Sequence, residues 1–284
     1  MEDDAGYRRK EIKELIPPSD DYARKLYTAD PLRQGYLRSA VRELRLPRGS
    51  RGLDLGCGIG LQEPILADEI GPDGHITGLD ISTPFLDYAS RIMEIYGMQG
   101  MTSFVRGDIY DLPFDDNAFD WIWSADCAGY QTREPHGLIK GLSRVVKPGG
   151  ILSILMWSSQ MLLPGYPLLE ARLNTTSSGI APFSREMSSG LHFLRALGWF
   201  REAGLQNATA RTFVGECSAP LSGDDRESLI DLIDMRWTDV QPELEPEDWK
   251  LFQSLTRPDS PQFILDLPDY YAFFTATLFY GRVP

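Results

Sequence analysis

Three glycines at alternate positions, Gly56, Gly58 and Gly60, follow a short apolar run with one acid, Asp54, in the stretch RGLDLGCGIG. A turn needs glycine where its backbone takes a positive φ or lies close to a ligand. A helix that starts behind such a turn directs backbone N–H groups at the ligand. The stretch therefore predicts a nucleotide- or nucleoside-binding turn between a strand and a helix.

The spacing of these glycines narrows the class of ligand. A dinucleotide-binding turn has the pattern Gly-x-Gly-x-x-Gly, and its third glycine would fall at residue 61, which is Leu61. A triphosphate-binding loop would continue into Gly-Lys-Ser/Thr, which does not follow here. The turn is therefore not typical of a pyrophosphate or triphosphate site.

Two further acids stand at the ends of predicted strands. Asp80 lies 20 residues after Gly60, where a carboxylate can accept hydrogen bonds from both ribose hydroxyls. Asp108 ends the next predicted strand, where it or a neighbouring amide can read an adenine amino group, and Ile81 and Ile109 can pack on the purine. Each acid alone is explained equally well as a solvated turn residue. Three strand-end acids behind one glycine turn favour a nucleoside site.

Strand patterns alternate with helical patterns through the middle of the chain, and this alternation must position the acids. The strands are predicted at residues 52–56, 75–81, 101–108, 119–125 and 151–157, with helices at 61–70, 83–96 and 135–146. Strands separated by helices form a parallel sheet with right-handed crossovers. We therefore expect an α/β fold with helices on both faces of the sheet.

The regions around this alternating part carry weaker patterns. Residues 1–18 are expected to form a mobile arm or a loose helix, and residues 20–46 a regular helix. Residues 158–190 have no regular pattern, and long connections of this kind are usually lids or disordered segments. The remaining predictions are a helix at 191–204, a strand at 208–217, two helices within 223–257 and a final strand from residue 270.

The composition limits the partners and the location. The chain has 284 residues, 42% of them hydrophobic, and a formal net charge of -13, which argues against binding a nucleic-acid backbone but leaves a local basic patch open. Cys57, Cys127 and Cys217 lie far apart without metal-binding spacing, which favours a reducing compartment and no metal site. The first residues of the sequence are charged and show no apolar signal core, and no apolar run reaches the ~20 residues that span a bilayer. We expect a cytoplasmic protein without membrane insertion, and the oligomeric state stays open.

The middle of the chain resembles the class I S-adenosylmethionine-dependent methyltransferases, of the small-molecule type related to the ubiquinone and menaquinone methylases. LDLGCGIG resembles the first motif of that family and GLDIS its second-strand acid. GDIYDLPFDDNAFDWIWS is similar to the family's stretch from the third strand into the fourth, and RVVKPGG to its turn before the fifth strand. The resemblance covers residues 51–157 in order and spacing.

This resemblance implies a fold and a division of the chain. The fold would be a Rossmann-like seven-stranded, mostly parallel sheet with helices on both faces and an antiparallel last strand, for which ATLFYGR near the C-terminus is the candidate. We expect a single methyltransferase domain over residues 1–284. It would carry an N-terminal helical cap at 1–48, a lid-like segment at 158–190 and a helical insertion at 216–270.

The resemblance also implies S-adenosylmethionine as the cofactor and S-adenosylhomocysteine as the product. The methionine part would lie over the three glycines of the turn, and Asp54 would orient its amino group directly or through water. The backbone of Ser124 and Ala125, at the end of the fourth strand, would contact the same part. This cofactor has no phosphate, so the turn needs no basic residue.

The nucleoside part of the cofactor would be held at the next two strands. By the resemblance, Asp80 would bind the ribose and Asp108 would read the adenine amino group. Ile81 and Ile109 would lie on the two faces of the adenine ring.

Asp126 and Tyr130, which follow the fourth predicted strand, are the acceptor-side candidates for a catalytic role. Tyr130 can orient an acceptor or simply pack beneath the lid, and Asp126 can instead cap a local turn. Methyl transfer from a sulfonium is an in-line displacement that needs alignment and exclusion of water, and it needs a base only if the acceptor must lose a proton. Aromatic and methionine residues in the cap, lid and insertion suit a mostly apolar acceptor, although each alone is better explained as core.

We therefore expect transfer of a methyl group to a small, mostly apolar organic acceptor. A cofactor-binding protein of the same fold that transfers no methyl group is the first alternative. A nucleotide oxidoreductase is the second, and the glycine spacing disfavours it.

Overall fold

The computed structural model describes residues 2–130 and 134–284, and its centre is a seven-stranded sheet. The strands are β1 (Arg51–Leu55), β2 (His75–Asp80), β3 (Thr102–Arg106), β4 (Phe119–Trp123), β5 (Val146–Met161), β6 (Gln206–Ser218) and β7 (Tyr271–Arg282). Their order in the sheet is β3-β2-β1-β4-β5-β7-β6. The first five pair in parallel, and β7 lies antiparallel between β5 and β6. The predicted α/β fold with an antiparallel last strand is confirmed.

Helices cover both faces of the sheet, and two of them precede its first strand. They are α1 (Glu2–Leu15), α2 (Asp21–Leu44), α3 (Glu63–Ile70), α4 (Thr83–Tyr96), α5 (Pro135–Val145), α6 (Pro167–Leu173), α7 (Ser177–Ile180), α8 (Ala196–Glu202), α9 (Gly223–Arg236) and α10 (Pro246–Thr256). Within the part of the chain that the structure describes, no helix is long and apolar enough to cross a membrane.

Alternating side chains of the central strands enter two cores, one on each face of the sheet. On β4, Trp121 and Trp123 join the core beneath α2, α3 and α9, whereas Ile122 joins the core beneath α5 and α8. Successive strand residues point to opposite faces, so a strand buried on both faces needs apolar residues throughout. This explains the nearly continuous apolar runs of the central strands.

The order of the strands places a topological switch point between β1 and β4. From β1 the sheet grows outward to β2 and β3, and then in the other direction from β4 to β5. In open parallel sheets, ligands bind in the crevice at the carboxyl ends of the strands where the order reverses. The residues that follow Leu55 and Trp123 therefore frame the candidate site.

A third apolar cluster joins the N-terminal helices to the glycine turn. Ile12 of α1, Ile16 directly after it and Tyr27 of α2 are buried with Ile59 of the turn and Met93 of α4. The sequence left residues 1–18 as an arm or a loose helix, but these contacts make α1 a packed helix. The helical cap therefore rests directly on the candidate cofactor turn.

The region after β5 is more regular than its sequence suggests. β5 continues to Met161 because residues 159–161 pair with β7, and α6 and α7 occupy much of the segment 158–190. The amphipathic helix predicted at 191–204 is shorter, because its first residues form 3₁₀ turns and α8 begins at Ala196. Pairing with a strand more than a hundred residues away decides the end of β5, and no local pattern reveals it.

Candidate active site

The glycine turn joins β1 to α3 and holds all three of its glycines at positive φ. The angle is +78° at Gly56, +56° at Gly58 and +80° at Gly60, so the backbone itself requires glycine. Packing adds a second requirement: a Cβ on Gly56 would lie 2.3 Å from Sγ of Cys127, and a Cβ on Gly60 would lie 2.8 Å from Cβ of Ala89. Gly58 has more room, which leaves it as the point where a ligand can approach the backbone.

Asp80 ends β2 and joins the glycine turn to the start of α4. Its Oδ2 accepts a hydrogen bond from the backbone N–H of Gly58 at 3.0 Å, and its Oδ1 accepts one from the N–H of Ser82 at 2.9 Å. A carboxylate oxygen can accept two hydrogen bonds, so each oxygen retains capacity for a ribose hydroxyl. Ile81 is 65% exposed and offers an apolar surface beside that carboxylate.

Asp108 lies in the loop after β3, which stops two residues earlier than the sequence predicted. The backbone N–H of Gly107 donates to the backbone oxygen of Asp80 at 3.1 Å, so this loop lies against the ribose candidate. Asp108 is exposed, and its Oδ1 accepts a hydrogen bond from the N–H of Tyr110 at 2.9 Å, while Ile109 is partly buried. The structure thus brings the predicted adenine and ribose residues to one edge of the sheet.

A pair of buried carboxyl groups lies behind the glycine turn. Asp54 on β1 is 1% exposed and its Oδ2 has no hydrogen-bond partner among the described residues; Glu63 at the start of α3 is 0% exposed, and neither of its oxygens has one. Burial, followed by the charges of Glu63 and Asp80, raises the pKa of Asp54 well above its usual range. Burial raises the pKa of Glu63 to about 7, against the smaller opposite effect of nearby backbone N–H groups.

Sequence reasoning found Asp54 and missed Glu63. An acid in the first turn of a helix normally indicates a solvated charge that complements the helix dipole. The burial of Glu63 depends on how α3 packs against the sheet and the cap, and no single-residue pattern carries that information.

These residues fit the sulfonium cofactor that the resemblance implies. In the described part of the chain, no lysine, arginine or histidine contributes to the pKa shifts of Asp54 and Glu63, so the two carboxyl groups lack a compensating cation. The implied cofactor brings an ammonium group and a sulfonium centre. Buried carboxylates are stabilised by a paired cation, so the charge of the cofactor matches what the site lacks.

Ser124 is used for structure rather than left open to a ligand. Its Oγ donates to the backbone oxygen of Leu55 at 2.8 Å and accepts from the N–H of Ala128 at 3.1 Å. Its backbone N–H donates to Ser153 and its carbonyl accepts from the next strand. Both the hydroxyl and the backbone groups of Ser124 are therefore already hydrogen-bonded within the protein.

Asp126 connects the N-terminal cap to the ends of β4 and β5. Its Oδ2 accepts from Nη2 of Arg33 at 2.5 Å, and its Oδ1 accepts from the N–H of Trp157 at 2.7 Å and from the hydroxyl of Tyr130 at 3.0 Å. Arg33 also donates through Nε to the hydroxyl of Tyr36 at 3.0 Å. With three donors around it, the Asp126 carboxylate is hydrogen-bonded through both oxygens and ties α2 to the ends of β4 and β5. Sequence reasoning missed Arg33, which lies 93 residues earlier.

Tyr130 is a neutral hydrogen-bond donor in this arrangement. Burial raises its pKa far above the usual range, and the adjacent charge of Asp126 and the hydrogen bond to it raise it further. A phenol in this state cannot remove a proton near neutral pH. Its hydroxyl instead orients the Asp126 carboxylate, and its partly buried ring packs in the core beneath α5 and α8.

A small apolar cavity lies beside Tyr130, under the segment that follows α7. Its volume is about 10 Å³, and it is lined by Gly129, Pro182, Phe183, Met187, Leu191, His192 and Phe193. A space of this size holds about one water molecule. Arg236 of α9 holds the segment in place, because its Nη2 donates to the backbone oxygen of Gly179 at 2.7 Å and its Nη1 to that of Ala181 at 3.3 Å.

The two thiols near the turn are not nucleophiles. Burial, together with the neighbouring acids, raises the pKa of Cys57 well above its usual range and that of Cys127 to about 12. A cysteine reacts as the thiolate, so both are inert in this environment. Their role is to fill space at the glycine turn, as a small hydrophobic residue does.

Comparison with known proteins places these features in a family context. Residues 53–154 match the family model described as a methyltransferase domain. The chain is 32% identical over 193 residues to a demethylmenaquinone methyltransferase of Bacillus licheniformis, which covers 62% of this chain and 79% of that protein. It is 30% identical over 199 residues to the corresponding protein of Staphylococcus carnosus, which covers 64% of this chain and 78% of the relative.

A solved structure extends the likeness of fold beyond the matched region. A geranyl diphosphate methyltransferase, solved in complex with S-adenosylmethionine, has a TM-score of 0.52 at 14% identity and covers 95% of this chain and 94% of its own. At that identity the likeness concerns the fold alone. The matched family region, residues 53–154, contains the glycine turn, the buried acid pair and the predicted nucleoside-binding acids.

Proposed function

Because the chain belongs to the class I S-adenosylmethionine-dependent methyltransferases, of the menaquinone-methylase type, we propose that it methylates a small, mostly apolar organic acceptor. S-adenosylmethionine is its methyl donor and S-adenosylhomocysteine the product of that donor. The observation that carries the proposal is the cation-deficient group of carboxylates, Asp54, Glu63 and Asp80, at the switch point of the sheet. A sulfonium donor supplies the missing positive charge.

The cofactor contacts follow the strand ends in order. We assign the methionine part to the turn of Gly56, Gly58 and Gly60, with its amino group at Asp54. Ala125 lies across the switch point and would contact the same part, with little help from the fully bonded Ser124.

The nucleoside part is assigned to the edge formed by β2 and β3. Asp80 would accept both ribose hydroxyls while it keeps its bonds to the turn and to α4. Ile81 and Ile109 would cover the adenine ring, and Asp108 or its neighbouring amide would bind the adenine amino group. These residues lie on one edge, which supports the assignment.

The acceptor side is built by three segments outside the central sheet. We propose that the cap (1–48), the lid-like segment (158–190) and the insertion (216–270) form a roof over the end of β4 within one catalytic unit. The cap contributes Arg33, which holds Asp126, and the insertion contributes Arg236, which holds the lid. The roof would exclude water from the reacting atoms.

The chain's part in the reaction is alignment rather than proton removal. When bound, the cofactor supplies a methyl group whose bond to sulfur is already activated, and the sulfur keeps the electron pair when that bond breaks. Asp126 is saturated with donors and Tyr130 is a neutral phenol, so we propose that both position the acceptor and neither acts as a base. An acceptor that must lose a proton would give it to solvent or arrive ionised.

The acceptor class follows from the walls of the small cavity. Phe183, Met187, Leu191 and Phe193 offer aromatic and flexible apolar surface, which suits a planar aromatic ring. The relatives are named demethylmenaquinone methyltransferases, and we propose a reduced quinone or related phenol for this chain as well. The cavity is too small for such a ring, so the segment containing Phe183 must move for the acceptor to enter.

Incubation with S-adenosylmethionine and a short-chain demethylmenaquinol, kept reduced under nitrogen, tests the proposal. We expect a product heavier by one CH₂ group in the mass spectrum, and none with an Asp80→Ala chain. Binding of the cofactor without methylation of this quinol or of simpler naphthols would contradict the acceptor class. It would favour the cofactor-binding alternative without methyl transfer.

A nucleotide oxidoreductase is not favoured, because the family is a methyltransferase family and residue 61 is Leu61 rather than glycine. NADH should show no fluorescence change when the protein is added. A location in the cytoplasm stays a prediction.

A further inference from the structure

Glu63 has no role in the cofactor contacts assigned above, although it is the first residue of the helix behind the glycine turn. Its side chain is 0% exposed, and neither oxygen has a hydrogen-bond partner in the described part of the chain. The backbone N–H groups of Gln62 and of Glu63 itself lower the pKa of the Glu63 carboxyl, but by less than burial raises it. A buried polar group without a partner is costly, so its presence needs an explanation.

The groups around Glu63 are acidic or neutral. β1 contributes Asp54 and β2 contributes Asp80, and the turn contributes the protonated thiol of Cys57. β4 contributes the N–H of Trp123, which is already donated to Gln62.

The two helices packed against α3 add no compensating charge. On α2, Arg33 is bound to Asp126 and Arg38 to Asp68, and neither contributes to the pKa shift of Asp54 or Glu63. On α4, the residue facing the turn is the apolar Ala89. The pair is therefore an acidic site whose cation must come from a ligand.

We propose that Asp54 and Glu63 form one subsite for the amino group of the cofactor's methionine part, which holds a proton in the free protein and releases it when the ammonium group binds. The inference rests on the proposed function only through the cofactor, and not on the acceptor. The proton leaves the carboxyl pair for solvent, and the ammonium then donates one N–H to each carboxylate. One cation thus replaces one proton between two acids.

The chemistry of paired carboxyls supports this exchange. Two carboxylates in a dry site cannot both ionise without a cation, so the pair retains a proton to a higher pH than either group alone. Burial raises the pKa of both groups, that of Glu63 to about 7, and the charge of Glu63 raises the pKa of Asp54 further. An ammonium group has three donors and a permanent charge near neutral pH, so it can satisfy both acids at once.

The exchange makes cofactor affinity depend on pH with a definite sign. At lower pH the carboxyl pair holds its proton more firmly, so a ligand that must displace this proton binds more weakly. The affinity therefore falls by roughly tenfold per pH unit below the pKa of the pair. Affinity rises towards pH 7 and levels off above it. Above about pH 8 the ligand's own amino group loses its charge, which weakens binding again.

Calorimetry with S-adenosylhomocysteine measures the released proton directly. The binding heat at pH 6 is compared in two buffers of different ionisation enthalpy, and the difference gives the number of protons exchanged. For the natural chain we expect release of about one proton at pH 6 and much less at pH 8. For Glu63→Gln we expect clearly less proton release and a smaller fall in affinity between pH 7 and pH 6, because Asp54 alone then holds the proton.

Two controls separate this role from a structural one. Asp68→Asn removes an exposed acid from the same helix, whose only described ion pair is with Arg38, and it should behave as the natural chain. 5′-Methylthioadenosine lacks the amino-acid part of the cofactor, so it should bind the natural chain without releasing a proton. This second control needs no variant and stands even if Glu63→Gln fails to fold.

The possible results of these experiments contradict different parts of the proposal. Binding of S-adenosylhomocysteine at pH 6 without proton release would overturn the shared-proton subsite and leave the methyl donor intact. Equal proton release from S-adenosylhomocysteine and 5′-methylthioadenosine would overturn the assignment to the amino group. If neither ligand bound at any pH, the proposed function itself would fail.

Discussion

The proposed donor side and the proposed acceptor side lie across one switch point, and the buried carboxyls of Asp54 and Glu63 differ from that of Asp126 in how they are satisfied. On the donor side, Asp54 and Glu63 are buried with oxygens that have no described partner. On the acceptor side, Asp126 accepts from Arg33, Tyr130 and Trp157. The donor side therefore needs its ligand to become electrostatically complete, whereas the acceptor side is complete without one.

This difference suggests how the two ligands are handled. A site with uncompensated buried charge gains most when a cation enters, which favours the sulfonium donor as the first ligand to bind. The proposed acceptor side is already satisfied by its own donors, and its cavity of about 10 Å³ has no room for an acceptor until the proposed roof moves. Order of binding would then follow from the charges, with the cofactor before the acceptor.

Breaking the acceptor network should give the largest loss of stability. Arg33→Met leaves the Asp126 carboxylate without its cation, in a pair whose side chains are only 16% and 23% exposed. Removing one partner of a buried ion pair leaves an uncompensated charge, and we expect a loss of roughly 3 kcal/mol in the free energy of unfolding. Urea unfolding followed by circular dichroism measures it.

The matched control for this change is Arg38→Met on the same helix. Arg38 pairs with Asp68 at the surface, where the side chains are 43% and 62% exposed. Exposed pairs contribute little, so this variant should lose less than about 1 kcal/mol. Equal losses in the two variants would show that the acceptor side is not held together by its ion pair.

Breaking the donor side at Asp80 should affect binding more than folding. Asp80→Ala removes the proposed acceptor of both ribose hydroxyls, and two charge-assisted hydrogen bonds correspond to a roughly 100-fold loss of cofactor affinity. The change also removes the acceptor for the N–H groups of Gly58 and Ser82, so some stability is lost as well. Calorimetry with S-adenosylmethionine measures the affinity.

Asp80→Asn separates these two effects. The amide keeps one acceptor oxygen, so it retains one of the two backbone bonds and loses the charge. Stability should therefore fall less than in Asp80→Ala, while affinity falls by about tenfold. If Asp80→Ala bound the cofactor about as well as the natural chain, the ribose would have to lie elsewhere.

The same contrast explains what the sequence could reveal. The glycine turn and the acids at Asp80 and Asp108 were predictable because their positions depend on local chain geometry: a strand, a tight turn and a helix start. Arg33 was not, because its partner lies 93 residues away and an arginine on a polar helix normally indicates a solvated face.

Glu63 and the segment after β5 were missed for a related reason. The burial of Glu63 is decided by the packing of α3, and the length of β5 by its pairing with β7. A sequence pattern reports local periodicity and contains no information on which distant surface covers a residue. The sequence therefore predicted the sheet and the strand ends that carry the glycine turn and Asp80, but not the contacts between distant segments.

The donor side should also make the stability of the free protein depend on pH. The pKa of Glu63 rises from the ordinary value of 4.5 to about 7 on folding, so the folded chain binds more protons than the unfolded chain between these values. The stability that Glu63 contributes is therefore full below its unfolded pKa and is lost as the pH rises through its folded pKa, by roughly 3 kcal/mol.

Urea unfolding of the cofactor-free protein at pH 5 and pH 8 tests this sign. The glutamine side chain in the Glu63→Gln variant does not titrate, so this variant should lose less stability than the natural chain between pH 5 and pH 8. Asp68→Asn, an exposed change on the same helix, should follow the natural chain. A Glu63→Gln variant with the same pH dependence as the natural chain would place the titration elsewhere.

The smallest effect is expected at Tyr130, and its size decides between two roles. Tyr130→Phe removes one of three donors to Asp126 and should lower the free energy of unfolding by about 1 kcal/mol. Because the hydroxyl lies on the acceptor side, the affinity for S-adenosylhomocysteine should stay unchanged.

If the hydroxyl only positions Asp126 and the acceptor, kcat/KM for the acceptor should fall by about tenfold, without a shift in its pH profile. A general base would instead cost roughly 100-fold to 10,000-fold in kcat. A loss of that size would contradict a neutral, positioning Tyr130, and would mean that the closed acceptor side rearranges when its roof opens.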